Sequence, residues 1–121
     1  MSEHEPKNER SQEEIVRLAM IEIGSARSFA DTLGTSVSMV EQELQDADPS
    51  LLAQQRAHEH IKDALRMLQT VHESLVRFEE HRTKIEDTAV AQSLQLESEE
   101  IQKKLITYGD RLSAVRGNIP G

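Results

Sequence analysis

Residues 16 to 44 carry an apolar side chain at every position of a heptad seam: Val16, Ala19, Ile23, Ala26, Ala30, Leu33, Val37, Val40 and Leu44. Alternating steps of three and four residues keep these nine side chains on one face of an α-helix. With 36% apolar residues in the chain, chance fills such a seam about once in ten thousand trials per register, or about once in a thousand over seven registers. A strand cannot use this spacing, because its side chains alternate from face to face. The stretch is therefore committed to a long amphipathic helix with one buried stripe. Ser11 and Glu14 stand just before it in the pattern of a capping box, which sets its start.

Two more seams follow. Ala57, Ile61, Ala64, Leu68, Val71, Leu75, Phe78 and Ile85 form the second, with Arg82 as its polar exception. Ala91, Leu94, Ser98, Ile101, Leu105, Tyr108, Leu112, Val115 and Ile119 form the third. Between the first two, Asp46-Ala47-Asp48-Pro49 ends one helix, and Asp48 and Pro49 are suited to cap and open the next. The second and third seams are out of phase by two residues, which predicts a turn or kink near Asp87-Thr88. That segment has neither Gly nor Pro, so a single bent helix is the competing reading. Gly34-Thr35-Ser36 offers a break in the first helix, but the seam keeps its phase across Gly34 and favours continuity. Gly117 and Pro120 stop the last helix.

The expected fold is all-α, with helices at about 12–46, 49–86 and 88–116. They form an up-down-up three-helix bundle, or a helical hairpin that dimerises into a larger one. Residues 1–10 have no apolar residue but the initial Met and read as a disordered tail; 11–119 read as one helical domain. Glu13–Arg17, Glu73–Arg77, Glu80–Lys84, Glu99–Lys103 and Glu100–Lys104 are spaced as i,i+4 ion pairs. The up-down-up order also brings Glu41, Glu43, Asp46 and Asp48, at the end of the first helix, beside Arg111 and Arg116 at the end of the third.

Composition narrows the function. The formal net charge is −8, which disfavours nucleic acid and anionic membrane surfaces as partners. No Cys is present, so thiolate zinc sites, disulfides and Cys nucleophiles are excluded. No stretch has the ~18 apolar residues of a membrane span, and the charged start is unlike a signal peptide. The expected location is the cytoplasm.

Motifs for chemistry fall short. The residues three before His58, His60, His72 and His81 are Gln55, Ala57, Gln69 and Phe78, none of them acidic, so a helical di-metal carboxylate site is not formed. His58 and His60 diverge by about 200° on a helix. A histidine phosphotransfer motif wants Lys three residues after the His and then Gly, whereas Lys62 is four from His58 and two from His60. A hairpin phosphatase of the chemotaxis type carries Asp-x-x-x-Gln; here Asp63 is followed at that spacing by Met67. No catalytic, cofactor-binding or metal residues are assigned, and no cofactor is expected.

One surface signal remains. Residues 15–23 read Ile-Val-Arg-Leu-Ala-Met-Ile-Glu-Ile, apolar nearly all round. Such a helix is buried on more than one side. Ile15, Leu18 and Ile21 are the candidate interface. The leading reading is a non-enzymatic helical interaction module, an adaptor, chaperone-like or regulatory subunit, that binds another protein or a second copy of itself. A small regulator of a bacterial-type signalling protein, phosphatase-like or phosphotransfer-like and acting through the second helix, is the alternative. A structural or surface-coating helical protein is the third.

Overall fold

The computed structural model describes residues 11–45 and 50–117. They form three long helices with no strand among them: α1 (Gln12–Gln45), α2 (Leu51–Arg82) and α3 (Thr88–Gly117). The order is up-down-up. Glu22 of α1 pairs with Arg77 of α2, and Glu43 pairs with His60, so the two helices run antiparallel. Arg27, Asp31 and Glu41 of α1 meet Glu97, Lys104 and Arg111 of α3 in rising order, so those two run parallel.

Each helix start has a local cause. The Glu14 backbone N–H donates to Ser11 Oγ at 3.2 Å, the expected cap of α1. Ser50 caps α2: its backbone is extended (φ −63°, ψ 151°) and its Oγ accepts from the Ala53 N–H at 3.2 Å. The expected start at Asp48-Pro49 falls outside the described residues, and the cap that is seen lies one residue beyond it. α3 is started by Asp87, whose Oδ1 accepts from the N–H groups of Ala89 and Val90 at 3.0 and 3.2 Å.

That last cap settles the choice between a turn and a bent helix. α2 ends at Arg82, four residues short of the expected end at Glu86. Lys84 N–H donates to the His81 carbonyl and Ile85 N–H to that of Arg82, a tightened last turn. Ile85 then folds back into the core at 9% exposure. Asp87 supplies the break that Gly or Pro would otherwise provide. The turn is also tied to α1. The side-chain amide of Gln12 donates to the Lys84 carbonyl at 3.0 Å and accepts from the Glu86 N–H at 2.8 Å.

The core is aliphatic and follows the seams. Ala19, Ala26, Ala30, Leu33 and Val37 of α1 meet Ala64, Val71 and Phe78 of α2 and Ile101 and Leu112 of α3. Phe78 is fully buried and is the largest side chain inside. A smaller cluster of Val40, Ala57, Ile61 and Val115 closes the other end. Full burial of one such Leu, Ile, Val or Phe contributes about 1.5–3 kcal/mol. α1 continues unbroken through Gly34, and the glycine has a packing role there. A Cβ at that position would lie 2.6 Å from Tyr108 Oη of α3. The missing side chain is the hole into which the Tyr108 ring fits.

Charged side chains bridge helices more than they support single ones. Arg77 reaches across to Glu22, at 3.0 Å, rather than along α2 to Glu73. Lys104 pairs with Asp31 rather than Glu100. Glu80 and Lys84 no longer share a helix, because α2 has ended between them.

Candidate functional site

The three residues singled out on α1 part company in the fold. Ile15 is 7% exposed and belongs to the main core cluster. It is therefore withdrawn from the candidate surface. Leu18 is half-buried, and Ile21 is 58% exposed. The cause is helical drift. A strict seven-residue repeat falls behind a straight α-helix by about 20° per heptad. Three heptads back from Val37, the inward position has moved from Val16 to Ile15.

Two residues that the sequence reading passed over join Leu18 and Ile21. Phe29 is 42% exposed and Met39 58% exposed. At about 100° per residue, Phe29 lies within about 20° of Leu18, and Met39 lies five full turns above Ile21. The four apolar side chains thus make two adjacent rows on the outer side of α1 next to α2. Ser25, Thr32 and Ser36 fill the gaps between them. Thr32 turns its hydroxyl inward to the Ser28 carbonyl at 3.2 Å, which leaves its methyl group to the surface. No Asp, Glu, Lys or Arg interrupts this strip from Leu18 to Met39. Its signal was present in the sequence as Phe29 and Met39 off the seam, but a single seam with isolated outliers is common and invites no notice.

Charges border the strip and are engaged. Glu22 holds Arg77, and Glu43 Oε1 lies 2.5 Å from His60 Nδ1. Near the Met39 end a shallow hollow of about 130 Å³ is lined by Ser36, Met39, Val40, His60 and Asp63. That is well below the ~300–1,000 Å³ of small-molecule sites.

Comparison with protein-family models, curated proteins and solved structures gives no match.

The remaining polar groups are structural in arrangement. Among the described residues, no three His, Cys, Asp or Glu side chains converge as metal ligands. His58 and His72 are exposed and stand apart. Arg82, the polar member of the second seam, is folded onto Glu79, with Nε at 2.7 Å from Oε1. Hydrogen bonding to that carboxylate raises its already high pKa. Hydrogen bonding to Arg111 holds the Glu41 carboxyl below its ordinary range, and the same bond raises Arg111. Arg111 also lies over the Tyr108 ring, 5.8 Å from its centre. Ser98, a polar member of the third seam, is 1% exposed and accepts a bond from Gln102 at 3.0 Å. Ser74 is buried likewise and accepts from Arg77 at 3.1 Å. No described helix is long and apolar enough to cross a membrane.

Proposed function

We propose that this chain is a non-enzymatic helical interaction module whose outer α1 face receives an amphipathic helix of another protein. The observation that carries this reading is the uncharged strip of Leu18, Ile21, Phe29 and Met39 in a chain with 30% charged residues. Contiguous apolar surface of this kind marks contact sites more often than idle surface. A helix laid into the strip would use the i, i+3, i+7 spacing common to helix-in-groove recognition.

Charge defines the partner further. α1 carries six acidic residues against two arginines. A bound helix with Lys or Arg beside its apolar stripe is steered toward that field, whereas an acidic one is repelled. The module acts as an adaptor or regulatory subunit, and the cytoplasm is the compartment this reading assigns to it.

The test is affinity capture from an extract of the native host with the wild-type chain and with the Ile21→Glu, Phe29→Glu double variant. Both side chains are substantially exposed, so helical circular dichroism should be unchanged. A protein held by the wild type should be lost from the variant by orders of magnitude, since each buried apolar anchor contributes about 1.5–3 kcal/mol. Equal capture of the same proteins by both would remove the α1 strip as the binding surface.

A further inference from the structure

The side of the molecule formed by α2 and α3 together is unlike the rest of the surface. Leu68 of α2 approaches Gly109 of α3, within 3.6 Å of where a Cβ would stand. This contact fixes which sides of the two helices face each other. The outward rows beside that seam follow from about 100° per residue. On α2 they are His58, Leu65, His72 and Val76. On α3 they are Gln95, Gln102, Ile106 and Ser113. None of these eight is an Asp, Glu, Lys or Arg, although the chain has 36 such residues among 121; Glu79 and Glu99 lie at matching angles and are the charged members of this side. Three of them are large apolar side chains left open: Leu65 at 37%, Val76 at 48% and Ile106 at 64% exposure. Charge depletion with apolar residues at the centre is the composition of an interface core.

We propose that this face is the contact between two copies of the chain, related by a two-fold axis running along the helices. Four arguments favour a second copy over another occupant. The first is chemical self-complementarity. Gln95, Gln102 and the histidines each carry both a hydrogen-bond donor and an acceptor, so the face can pair with itself. A face of one charge sign could not. The second is electrostatic. Each chain bears a formal charge of −8, and two copies approach with less repulsion through a side that carries only a small part of it.

The third argument is register. The ion pairs that align α1 with α2 and with α3 place Leu65 and Ile106 at about the same height in the bundle. Under the two-fold, α2 of one copy lies over α3 of the other. Leu65 then covers Ile106 of the other copy, twice over. At the outer edges, Lys62 of one copy stands against Asp110 of the other. The edge charges are complementary where the centre is apolar. The fourth is area. Two helices of about 30 residues are ~45 Å long, and side by side they are ~20 Å wide, so the face offers ~900 Å² per copy. A stable interface uses about 800 Å² per partner. The two-fold brings two bundles together and leaves the α1 strip on each free on the outside.

The test is sedimentation of the full chain across micromolar concentrations. The wild type should run at twice the 13.7 kDa chain mass. The Leu65→Glu, Ile106→Glu double variant should dissociate at least about a hundredfold more readily, with helical circular dichroism retained. Because that variant could instead lose its fold, a charge exchange provides an independent reading. Lys62→Glu should weaken the dimer, and adding Asp110→Lys should restore it. A wild type that stays at single-chain mass throughout this range overturns the proposal. So does a dimer that the apolar pair and Lys62→Glu both leave unchanged. The Ile21→Glu, Phe29→Glu variant should dimerise like the wild type, so failure of the α1 reading and failure of this one are told apart.

Discussion

Gly24 and Gly34 lie ten residues apart in the same helix, and replacing each by Ala should move stability in opposite directions. In an open helical position, Ala in place of Gly stabilises by about 0.8–1.0 kcal/mol. Gly24 is such a position, since a Cβ there meets nothing within 4 Å. At Gly34 the same gain is opposed. The new methyl group would stand 2.6 Å from Tyr108 Oη and 2.9 Å from Cζ, well inside the ~3.5–4.0 Å optimum for carbon contacts. Relieving that overlap by shifting the ring or parting α1 from α3 costs about 1–3 kcal/mol. The net effect of Gly34→Ala is a loss of up to about 2 kcal/mol. For a domain of this size the melting temperature should rise by about 3–5 °C for Gly24→Ala and fall by a few degrees for Gly34→Ala. Thermal and urea unfolding, followed by circular dichroism at one fixed protein concentration, measures both. In a Tyr108→Ala background the penalty should vanish, and Gly34→Ala should then stabilise as Gly24→Ala does. Equal stabilisation by both substitutions in the native background would refute the seating of Tyr108 against Gly34.

Two further outcomes are expected. Asp87→Ala removes the side-chain acceptor of two backbone N–H groups at the start of α3, and should cost about 0.5–2 kcal/mol in urea unfolding, with Asp87→Asn retaining most of the stability. Acidification should weaken the fold through Glu41: its carboxyl is depressed in the folded chain, so the unfolded chain takes up the proton first, and the contribution is complete above the ordinary carboxylate range and lost as pH falls from there through the lower folded value. Glu41→Gln should flatten that part of the melting-temperature profile, by a small amount because the pair with Arg111 is about one-third exposed.

The helices could be read from the sequence because their cause is periodic. Nine apolar positions in one seam leave α1 no other conformation, and the phase slip between the second and third seams located the turn that Asp87 makes. What periodicity could not supply was angle at the level of one residue. The heptad reading put Val16 inside and offered Ile15 to a partner, whereas the slow rotation of a straight helix against a seven-residue repeat buries Ile15 and leaves Val16 partly buried at the edge of the core. The unbroken seam carried α1 through Gly34, but the reason for a glycine there stayed hidden, because its cost to the helix is local while its benefit depends on Tyr108, 74 residues further on. The α2/α3 face was hidden for a related reason. Leu65 and Ile106 are ordinary isolated apolar residues until the bundle sets them side by side. The i,i+4 pairs misled because Arg77 and Lys104 found carboxylates on another helix, where a bridge ties two elements instead of one.

The three helices are not held with equal strength. α1 and α2 share the longer part of the interior, whereas α3 makes fewer contacts with either and is fastened to α1 along its length by Glu97, Lys104 and Arg111. Added salt weakens exposed ion pairs such as these, whereas it does not weaken aliphatic packing. The bundle therefore opens in order, as a firm hairpin with a third helix that lifts away first. Hydrogen exchange followed by mass spectrometry should show the amides of α3 exchanging ahead of those of α1, with added salt widening the gap. A second copy seated across α2 and α3 would close it again, so that assembly and the order of opening are one property of this chain.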